Sequence, residues 1–392
     1  MRNEWDAIVV GLGAIGSGAA CWLSRRLGDR VLGIEQFELG HGNGAGQDHS
    51  RIIRLSYHRP DYIRLARRAY ETWAEIEAEA GATIVTRTGG LDIAPYEAAI
   101  PLSDYTESMT AEGIPFEHLT GPEIVRRWPQ WRLGDEYHGL FQADAGIADP
   151  NRANAAHQRL ARANGATLLE NARVQRIRPN ADGSVEIELA DGTIHSAPQI
   201  VIAADAWTND LLASFDRRLP LTIIQAQVTY LAVADPSAFA PDRFPIWIWM
   251  DDPSFYGFPT YGEPGPKSAE DVGGDECTPA SRTFDRDDVC HARLMDFLAR
   301  HLPGQVAPEL YTKTCLYTLT PDRDFVVDRL PDAPGVQVVL GAAHAFKFAS
   351  VLGRILAERA IDGSSPSEPE LERFRIDRPI LLERDPVTSF LV

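Results

Sequence analysis

The first part of the chain alternates short apolar runs with glycine-rich or polar turns. Residues 7–10 (AIVV) and 31–34 (VLGI) have the length and composition of buried strands. Between them, an apolar segment that includes Ala20 and Leu23 predicts a helix. The order strand, helix, strand predicts the beginning of a parallel sheet with helices packed against it.

The turn after the first predicted strand has the sequence GLGAIG, in which Gly11, Gly13 and Gly16 form a GxGxxG motif. Glycines are needed because the turn is tight, the backbone approaches a pyrophosphate closely, and the helix packs on the strand with its N-terminus facing the anion. Glu35 ends the second predicted strand, about 20 residues further on, where a carboxylate accepts hydrogen bonds from an adenosine ribose. The combination predicts a Rossmann-type dinucleotide-binding domain.

Patterns further along favour FAD over NAD. The polar, glycine-rich segment 40–50 can wrap a cofactor, although such a cluster alone is equally typical of a surface loop. Residues 174–177 and 185–189 predict strands of a hairpin with a turn at 191–192, and 200–204 is a further apolar run. A βαβ start, a distant β-meander and a return strand are typical of an FAD domain.

Length and charge limit the class of protein. The 392 residues are 44% hydrophobic and 24% charged, enough for a sizeable core and two domains. The formal net charge of −18 disfavours binding to nucleic acid or to an anionic membrane, so a small-molecule substrate is expected. No apolar run approaches the ~20 residues of a membrane span, and the N-terminus lacks the order of a signal peptide. We expect a cytoplasmic monomer without a metal site.

Lysine and cysteine are both scarce. Only three of the 38 basic residues are lysines, Lys267, Lys313 and Lys347, so a retained lysine is expected where a compact ammonium is needed. The four cysteines have no CxxC spacing and are too few for a disulfide framework. Cys21, within the first predicted helix, is expected to be a small buried hydrophobe.

Four separated blocks resemble the signature blocks of the monomeric sarcosine oxidase and N-methyltryptophan oxidase family. They are SRIIR at 50–54, FYGFP at 255–259, KTCLYT at 313–318 and HAFKF at 344–348. They occur in the family's order, and the likeness covers nearly the whole chain, including RWP at 127–129 and AW at 206–207. The resemblance implies an α/β (mixed α+β) fold like that of D-amino acid oxidase and p-hydroxybenzoate hydroxylase.

In that fold the FAD-binding domain is discontinuous, and a second, substrate-binding domain is built on a mixed β-sheet. We predict the FAD-binding domain at 1–85, 146–220 and 321–392, and the substrate domain at 86–145 and 221–320. By resemblance, FAD is bound by Gly11, Gly13, Gly16, Glu35, Gln36, Ser50, Arg51, Val174, Cys315, His344, Phe346 and Lys347. Cys315 matches the family cysteine that is joined through sulfur to a methyl group of the flavin, a reaction that needs a thiolate. We therefore expect covalent FAD.

The resemblance also implies roles for residues around the substrate. Arg54 and Lys347 bind the α-carboxylate of an amino acid, and Tyr256 and Tyr317 line the substrate cavity. Lys267 matches the lysine that promotes the reaction of reduced flavin with oxygen, a step in which a nearby cation stabilises developing negative charge. Lys267, Arg51 and Tyr317 are thus the predicted catalytic residues.

These residues and the resemblance predict an FAD-dependent oxidase of a small secondary amine, an N-methyl or other N-alkyl amino acid. The expected products are an imine, which hydrolyses to an amino acid and an aldehyde, and hydrogen peroxide from O2. Neighbouring cations favour the neutral amine that hydride loss requires. Three alternatives are an Amadori-type oxidase of fructosyl amino acids, a flavin dehydrogenase and an FAD-binding protein without catalytic activity.

Several positions depart from the family pattern and are expected to alter the pocket. The stretch from Ser268 to Asp271 lacks the family's histidine, and Arg59 replaces a glutamate. Gln47-Asp48 replaces His-Gly in the cofactor loop. Asp205 and Ala345 each replace a glycine, and a Cβ there could change the approach of the backbone to the flavin.

Overall fold

The computed structural model describes residues 3–389, which form twenty β-strands and ten α-helices with short 3-10 turns between them. The strands are β1 Ala7–Val10, β2 Val31–Ile34, β3 Arg51–Ile53, β4 Val85–Arg87, β5 Gly90–Pro95, β6 Glu117–Thr120, β7 Tyr137–Gln142, β8 Gly146–Ala148, β9 Thr167–Leu169, β10 Val174–Pro179, β11 Val185–Leu189, β12 Ile194–Ala197, β13 Gln199–Ile202, β14 Thr222–Leu231, β15 Ile246–Trp249, β16 Phe255–Phe258, β17 Lys267–Glu270, β18 Glu309–Leu319, β19 Val326–Leu330 and β20 Ala333–Leu340. The helices are α1 Ala14–Leu27, α2 Pro60–Ala80, α3 Leu102–Ala111, α4 Gly121–Arg127, α5 Pro150–Ala163, α6 Thr208–Leu212, α7 Asp288–His301, α8 Ala349–Asp362, α9 Glu368–Leu371 and α10 Pro379–Leu382.

A six-stranded sheet in the order β19-β20-β13-β1-β2-β9 positions the glycine turn. β1 pairs in parallel with both β2 and β13, and β19 is antiparallel to β20. Ala7 and Val9 of β1 pack in an apolar cluster with α1 and α8, whereas Ile8 and Val10 pack in a second cluster on the other face. Because both faces of β1 are covered, every position of the strand is apolar.

The second face of this sheet is covered by an antiparallel meander of β10, β11 and β12. The predicted strands at 7–10, 31–34 and 185–189 are confirmed with those bounds. The strand predicted at 174–177 continues to Pro179, and the one predicted at 200–204 ends at Ile202. The predicted mixed α/β fold class is confirmed.

An eight-stranded mixed sheet, in the order β18-β14-β17-β16-β15-β5-β7-β6, forms the other half of the molecule. Only β5 and β15 pair in parallel within this sheet of the described chain. β18 pairs with β14 over almost its whole length, which places Cys315 opposite Ala226 and Tyr317 opposite Ile224. Helix α7 packs against this sheet through Phe297, in an aromatic cluster that includes Trp247 and Phe255.

The two large sheets are built from the two sets of sequence segments that were predicted to form separate domains. All six strands of the first sheet fall in 1–85, 146–220 and 321–392, and all eight of the second fall in 86–145 and 221–320. A small third sheet, β3-β8-β4, contains residues from both sides of the predicted domain boundary at 85/86. The domain boundaries themselves stay a prediction. Among residues 3–389, no helix combines the length and apolar content that a bilayer span requires.

Candidate active site

A cavity of about 670 Å³ is lined by residues of both large sheets. Twelve of the residues predicted from the sequence line it: Gly11, Gly13, Glu35, Gln36, Arg51, Arg54, Val174, Tyr256, Tyr317, His344, Phe346 and Lys347. The predicted residues Gly16, Ser50, Lys267 and Cys315 lie behind or beside the lining. The fold therefore brings most of the predicted site residues, which are far apart in the sequence, around one space.

The glycine turn forms one end of the cavity. Gly11 has φ +89°, and a Cβ there would lie 2.4 Å from the carbonyl oxygen of Ala203. A Cβ on Gly16 would lie 1.8 Å from the carbonyl oxygen of Gly11, so Gly16 allows α1 to pack on the turn. Gly13 is different, because a Cβ there would meet no protein atom within 4 Å. The backbone at Gly13 and the N-terminus of α1 thus face open space in the cavity.

Glu35 follows β2 beside this turn. Its Oε2 accepts a hydrogen bond from the Leu12 amide at 2.8 Å, and its Oε1 lies 3.4 Å from Nε2 of His41. Burial acts to raise the pKa of Glu35, but the contacts with His41 and with backbone amides outweigh it and hold the pKa below the usual value. Glu35 is therefore an ionised acceptor that also fixes the glycine turn.

The other end of the cavity holds two arginine–carboxylate pairs. Arg54, which follows β3, donates from Nη1 to Asp92 Oδ1 at 3.1 Å, and both side chains are buried. The Nε atom of Arg54 is buried and has no hydrogen-bond partner among residues 3–389. Arg323, just before β19, donates from both Nη atoms to Asp271, at 2.6 and 2.9 Å. Both pairs are largely charge-compensated.

Lys347 differs from the buried arginines that line the cavity. It is buried, and its ammonium forms no ion pair with a carboxylate of the described residues 3–389. Its Nζ lies 5.8 Å from the ring centre of Tyr57 and 5.9 Å from that of Phe348. Burial, together with the charges of Arg54 and Arg323, holds the pKa of Lys347 well below its usual value. An anionic ligand group beside Lys347 would relieve this unfavourable environment.

Two tyrosines lie between these groups and β18. The hydroxyl of Tyr256 is 3.0 Å from the hydroxyl of Tyr317, and either can donate to the other. Burial raises the pKa of both side chains, so both are neutral phenols at physiological pH. One hydroxyl hydrogen of the pair is consequently free to be donated elsewhere in the cavity.

Lys267 lies outside the cavity lining, in a buried cluster of charges. Its ammonium donates to Asp48 Oδ2 and to the backbone oxygen of Ser50, both at 2.8 Å. Arg51 donates to the same Asp48 oxygen at 3.0 Å, and the Tyr230 hydroxyl donates to Oδ1 at 2.6 Å. Arg51 itself lines the cavity. The positive charge predicted for oxygen activation is therefore shared with a carboxylate that the family pattern does not contain.

Cys315 lies beside the main cavity, in a side pocket of about 20 Å³ that Asp48, Arg51 and Lys313 also line. Its thiol is free. Burial raises the pKa of Cys315, while the charge of Arg51 acts to lower it and that of Asp48 to raise it. The thiol is thus less readily ionised than an exposed cysteine.

Comparison with known proteins identifies the family. A family model described as FAD dependent oxidoreductase, DAO, matches residues 6–359. The chain belongs to the FAD-dependent oxidoreductase family. It is 36% identical over 376 residues to monomeric sarcosine oxidase of Streptomyces avermitilis, an alignment that covers 93% of this chain and 96% of that one. It is 30% identical over 381 residues to N-methyl-L-tryptophan oxidase of Salmonella heidelberg, covering 96% and 99%.

A solved structure leads to the same conclusion. The open form of NikD, described as an unusual amino acid oxidase essential for nikkomycin biosynthesis, superposes with a TM-score of 0.84 at 28% identity. The alignment covers 95% of this chain and 98% of NikD. The protein is an FAD-dependent amine oxidoreductase of the sarcosine oxidase type.

The residues of the cavity fit the FAD of this family. The N-terminus of α1 and the open backbone at Gly13 suit a pyrophosphate, because helix N-termini present free N–H groups to anions. The ionised Glu35 suits ribose hydroxyls. Among residues 3–389 there is no group of three or more His, Cys, Asp or Glu side chains that could hold a metal ion.

Only some of the residues that depart from the family pattern line the cavity. Arg59 lies outside the cavity lining and pairs with Asp61 at 3.2 Å, whereas its neighbour His58 lines the cavity, and the expectation that Arg59 alters the pocket stays a prediction. Ala345 lines the cavity but has φ −86°, an ordinary conformation that its Cβ does not strain. Asp205 also lines the cavity, has φ +45°, and burial raises its pKa to about 6. Within the stretch 268–271, only Asp271 reaches the cavity.

Sequence reasoning missed four partners at this site. Asp48, Asp92, Asp271 and Arg323 each form a buried or half-buried ion pair beside the cavity. Asp92 carried a usable signal, because it is a lone acid within the otherwise apolar strand β5. Asp48 and Asp271 were recognised only as departures from a family pattern, without their partners.

Proposed function

We propose that this enzyme oxidises a small secondary amine, an N-methyl or other N-alkyl amino acid. The product is an imine, which water hydrolyses to an amino acid and an aldehyde, and O2 is reduced to hydrogen peroxide. The observation that carries this proposal is Lys347, a buried cation in the cavity without a carboxylate partner among residues 3–389. Burying such a charge is unfavourable unless a ligand anion completes the site.

In this proposal the α-carboxylate of the substrate lies against Lys347 and the free Nε of Arg54. Asp92 accepts a hydrogen bond from Nη1 of Arg54, which helps to fix the orientation of the guanidinium. Charge-assisted hydrogen bonds of this kind are short and directional, so they fix the position of the N-alkyl group within the cavity. We assign orientation of the amine to a hydroxyl of the Tyr256–Tyr317 pair, which is supported by their contact at the cavity wall.

The cations around the cavity also act on protonation. An amino acid enters with an ammonium group, and loss of a hydride from carbon requires the neutral amine. Arg54, Arg323 and Lys347 favour release of that proton, since nearby positive charge lowers the pKa of an amine. FAD, when bound, accepts the two electrons of the oxidation. Lys267 and Arg51 are proposed to stabilise the negative charge that develops on oxygen.

The linkage and the cellular setting complete the proposal. We assign covalent attachment of FAD to Cys315, supported by its place at the side pocket next to Arg51 and Tyr317. We further propose a monomer in the cytoplasm. The hydroxyl-rich substrates of an Amadori-type oxidase are the second candidate, because Asp271 places a carboxylate acceptor in the cavity.

A spectral screen tests this function. Purified yellow protein is mixed anaerobically with N-methyl, N-alkyl and N-fructosyl amino acids, and loss of the oxidised flavin band identifies the substrate. Air is then admitted, and hydrogen peroxide and the aldehyde or sugar-derived osone are measured. Bleaching followed by stoichiometric peroxide is expected. Bleaching without reoxidation by air would indicate a dehydrogenase, and no bleaching by any secondary amino acid would refute the proposal.

A further inference from the structure

Asp271 and Arg323 form a charged pair that joins the two halves of the cavity wall. Asp271 follows β17 of the eight-stranded sheet, and Arg323 precedes β19 of the six-stranded sheet. The two Nη atoms of Arg323 donate to the two carboxylate oxygens of Asp271, at 2.6 and 2.9 Å. The Asp271 amide also donates to the Ser254 carbonyl at 2.8 Å, which fixes the backbone. The carboxylate therefore has a defined position.

Asp271 is the more exposed residue of this pair. The side chain of Asp271 is 19% exposed, whereas that of Arg323 is 3% exposed, although both line the cavity. A carboxylate accepts about four hydrogen bonds, and Arg323 supplies two. The remaining hydrogen-bond acceptor positions are therefore on Asp271, the more exposed residue of the pair. A hydrogen-bond donor that enters the cavity can reach them without breaking the ion pair.

We propose that Asp271 is a specificity residue, which accepts a hydrogen bond from a donor that the substrate carries in addition to its carboxylate and its reacting amine. The preferred substrates are thus secondary amino acids with a hydroxyl or ammonium group on the N-substituent or the side chain. This inference rests on the proposed function. Asp271 is not assigned the role of a base, because the Arg323 guanidinium already donates to both of its oxygens.

The physical basis is the cost of a buried acceptor without a donor. A purely aliphatic substituent placed against Asp271 would displace water and leave its free lone pairs unsatisfied. A hydroxyl or ammonium replaces that water with a direct, charge-assisted bond. For a hydrogen bond to a charged group, the expected discrimination between matched substrates is about ten- to hundredfold in kcat/KM.

Matched substrate pairs test the proposal in the FAD-loaded enzyme. N-(2-hydroxyethyl)glycine is compared with N-propylglycine, and N-methylserine with N-methyl-2-aminobutyrate, because each pair exchanges a hydroxyl for a methyl group. The wild type should favour the hydroxyl compound at least about tenfold in one of the pairs. In Asp271→Ala the preference should fall to less than about twofold, mainly through KM.

A second variant covers the case in which Asp271→Ala fails to fold because Arg323 is left as a buried charge. Asp271→Leu combined with Arg323→Met removes both charges together, which is commonly tolerated. The matched control is Glu270→Gln. Glu270 is the residue before Asp271, it pairs with Arg293 at 2.8 Å, and it lies outside the cavity lining. It should retain the wild-type preference.

The outcomes separate this inference from the proposed function. If both members of every pair are oxidised equally well by the wild type, Asp271 does not select a donor and the inference is wrong, while the proposed function stands. An equal loss of efficiency for both members in the variants would likewise overturn it, since Asp271 would then act on the common part of the substrate. If no compound bleaches the flavin, the proposed function itself fails.

Discussion

Asp48 Oδ2 lies 2.8 Å from Lys267 Nζ, and both side chains are almost fully buried. Because Arg51 also contacts Asp48, two cations share one anion and the cluster carries a net charge of one positive unit. A lone lysine would present its whole charge to the cavity. Here Asp48 compensates part of that charge, and Arg51 is the member of the cluster that lines the cavity.

Charge variants of this cluster should move the oxygen reaction in opposite directions. One unit charge at ~4 Å and an effective dielectric of about 20 is worth ~4 kcal/mol, or roughly three decades in rate. Lys267→Met should slow reoxidation of the reduced enzyme by about two to three decades, with anaerobic reduction by substrate largely intact. Asp48→Asn should accelerate reoxidation while Lys267 is protonated, and because Asp48 acts to raise the pKa of Lys267, this acceleration should be lost at a lower pH than the wild-type alkaline decline. Stopped-flow spectroscopy follows both half-reactions in one preparation.

The double variant Asp48→Asn, Lys267→Met is the matched control, because it restores the net charge of the cluster. Its reoxidation rate should lie near that of the wild type. A double variant as slow as Lys267→Met would show that the ammonium acts through its position and not through net charge. Unchanged reoxidation in Lys267→Met would assign the step to Arg51.

The pH dependence of reoxidation should report Lys267. Burial lowers its pKa to about 8, although Asp48 opposes this shift. The ammonium is lost as the pH rises through about 8, so reoxidation should slow above that pH. In Lys267→Arg the guanidinium stays charged, and this alkaline decline should disappear. A decline that persists in Lys267→Arg would have another origin.

The same shift has a defined effect on stability. Between about 8 and the ordinary lysine pKa of ~10.4, the unfolded chain holds a proton that the folded protein has released. The contribution of Lys267 to the free energy of unfolding therefore rises with pH across this window. Chemical denaturation at several pH values measures the free energy of unfolding of the wild type and of Lys267→Met. The stability of the wild type relative to the variant should fall as the pH falls from ~10.4 to about 8.

The two cations proposed to bind the carboxylate should respond differently to substitution. Arg54→Met leaves Asp92 as a buried unpaired charge, which is expected to cost about 3–5 kcal/mol of stability as well as substrate affinity. Lys347→Met removes a charge without a carboxylate partner in residues 3–389, so it should raise KM without lowering the melting temperature. Equal kcat/KM for a substrate and its amide would remove both residues from carboxylate binding.

The covalent link predicted at Cys315 can be tested by colour. Acid-precipitated wild-type protein should keep its yellow flavin, and Cys315→Ala should release it, whereas Cys277→Ala should behave as wild type. Because burial raises the pKa of Cys315 and a thiolate is needed, linkage in FAD-reconstituted protein should form faster at higher pH. A colourless wild-type pellet from fully loaded protein would contradict the assignment.

The local parts of this molecule were predictable, and the pairings across it were not. The glycine turn and Glu35 follow from one continuous segment, because the steric demands of a tight βα turn lie within neighbouring residues. The partners of Lys267 and Arg323 lie 219 and 52 residues away along the chain. Periodicity contains no information on such pairs, since their contact depends on how the two sheets meet.

Strand β18 couples two proposed functions to one backbone register. Lys313, Cys315 and Tyr317 occupy alternate positions of this strand, which places their side chains on one face, and all three line the side pocket. A single-residue insertion or deletion upstream in this strand would turn the thiol and the phenol away together. A two-residue insertion would keep the face but displace both by about 6.6 Å along the strand. Replacing the side chain of Cys315 or Tyr317 can therefore alter flavin attachment or substrate orientation separately. A change in the length of β18 would instead disrupt both proposed functions at once.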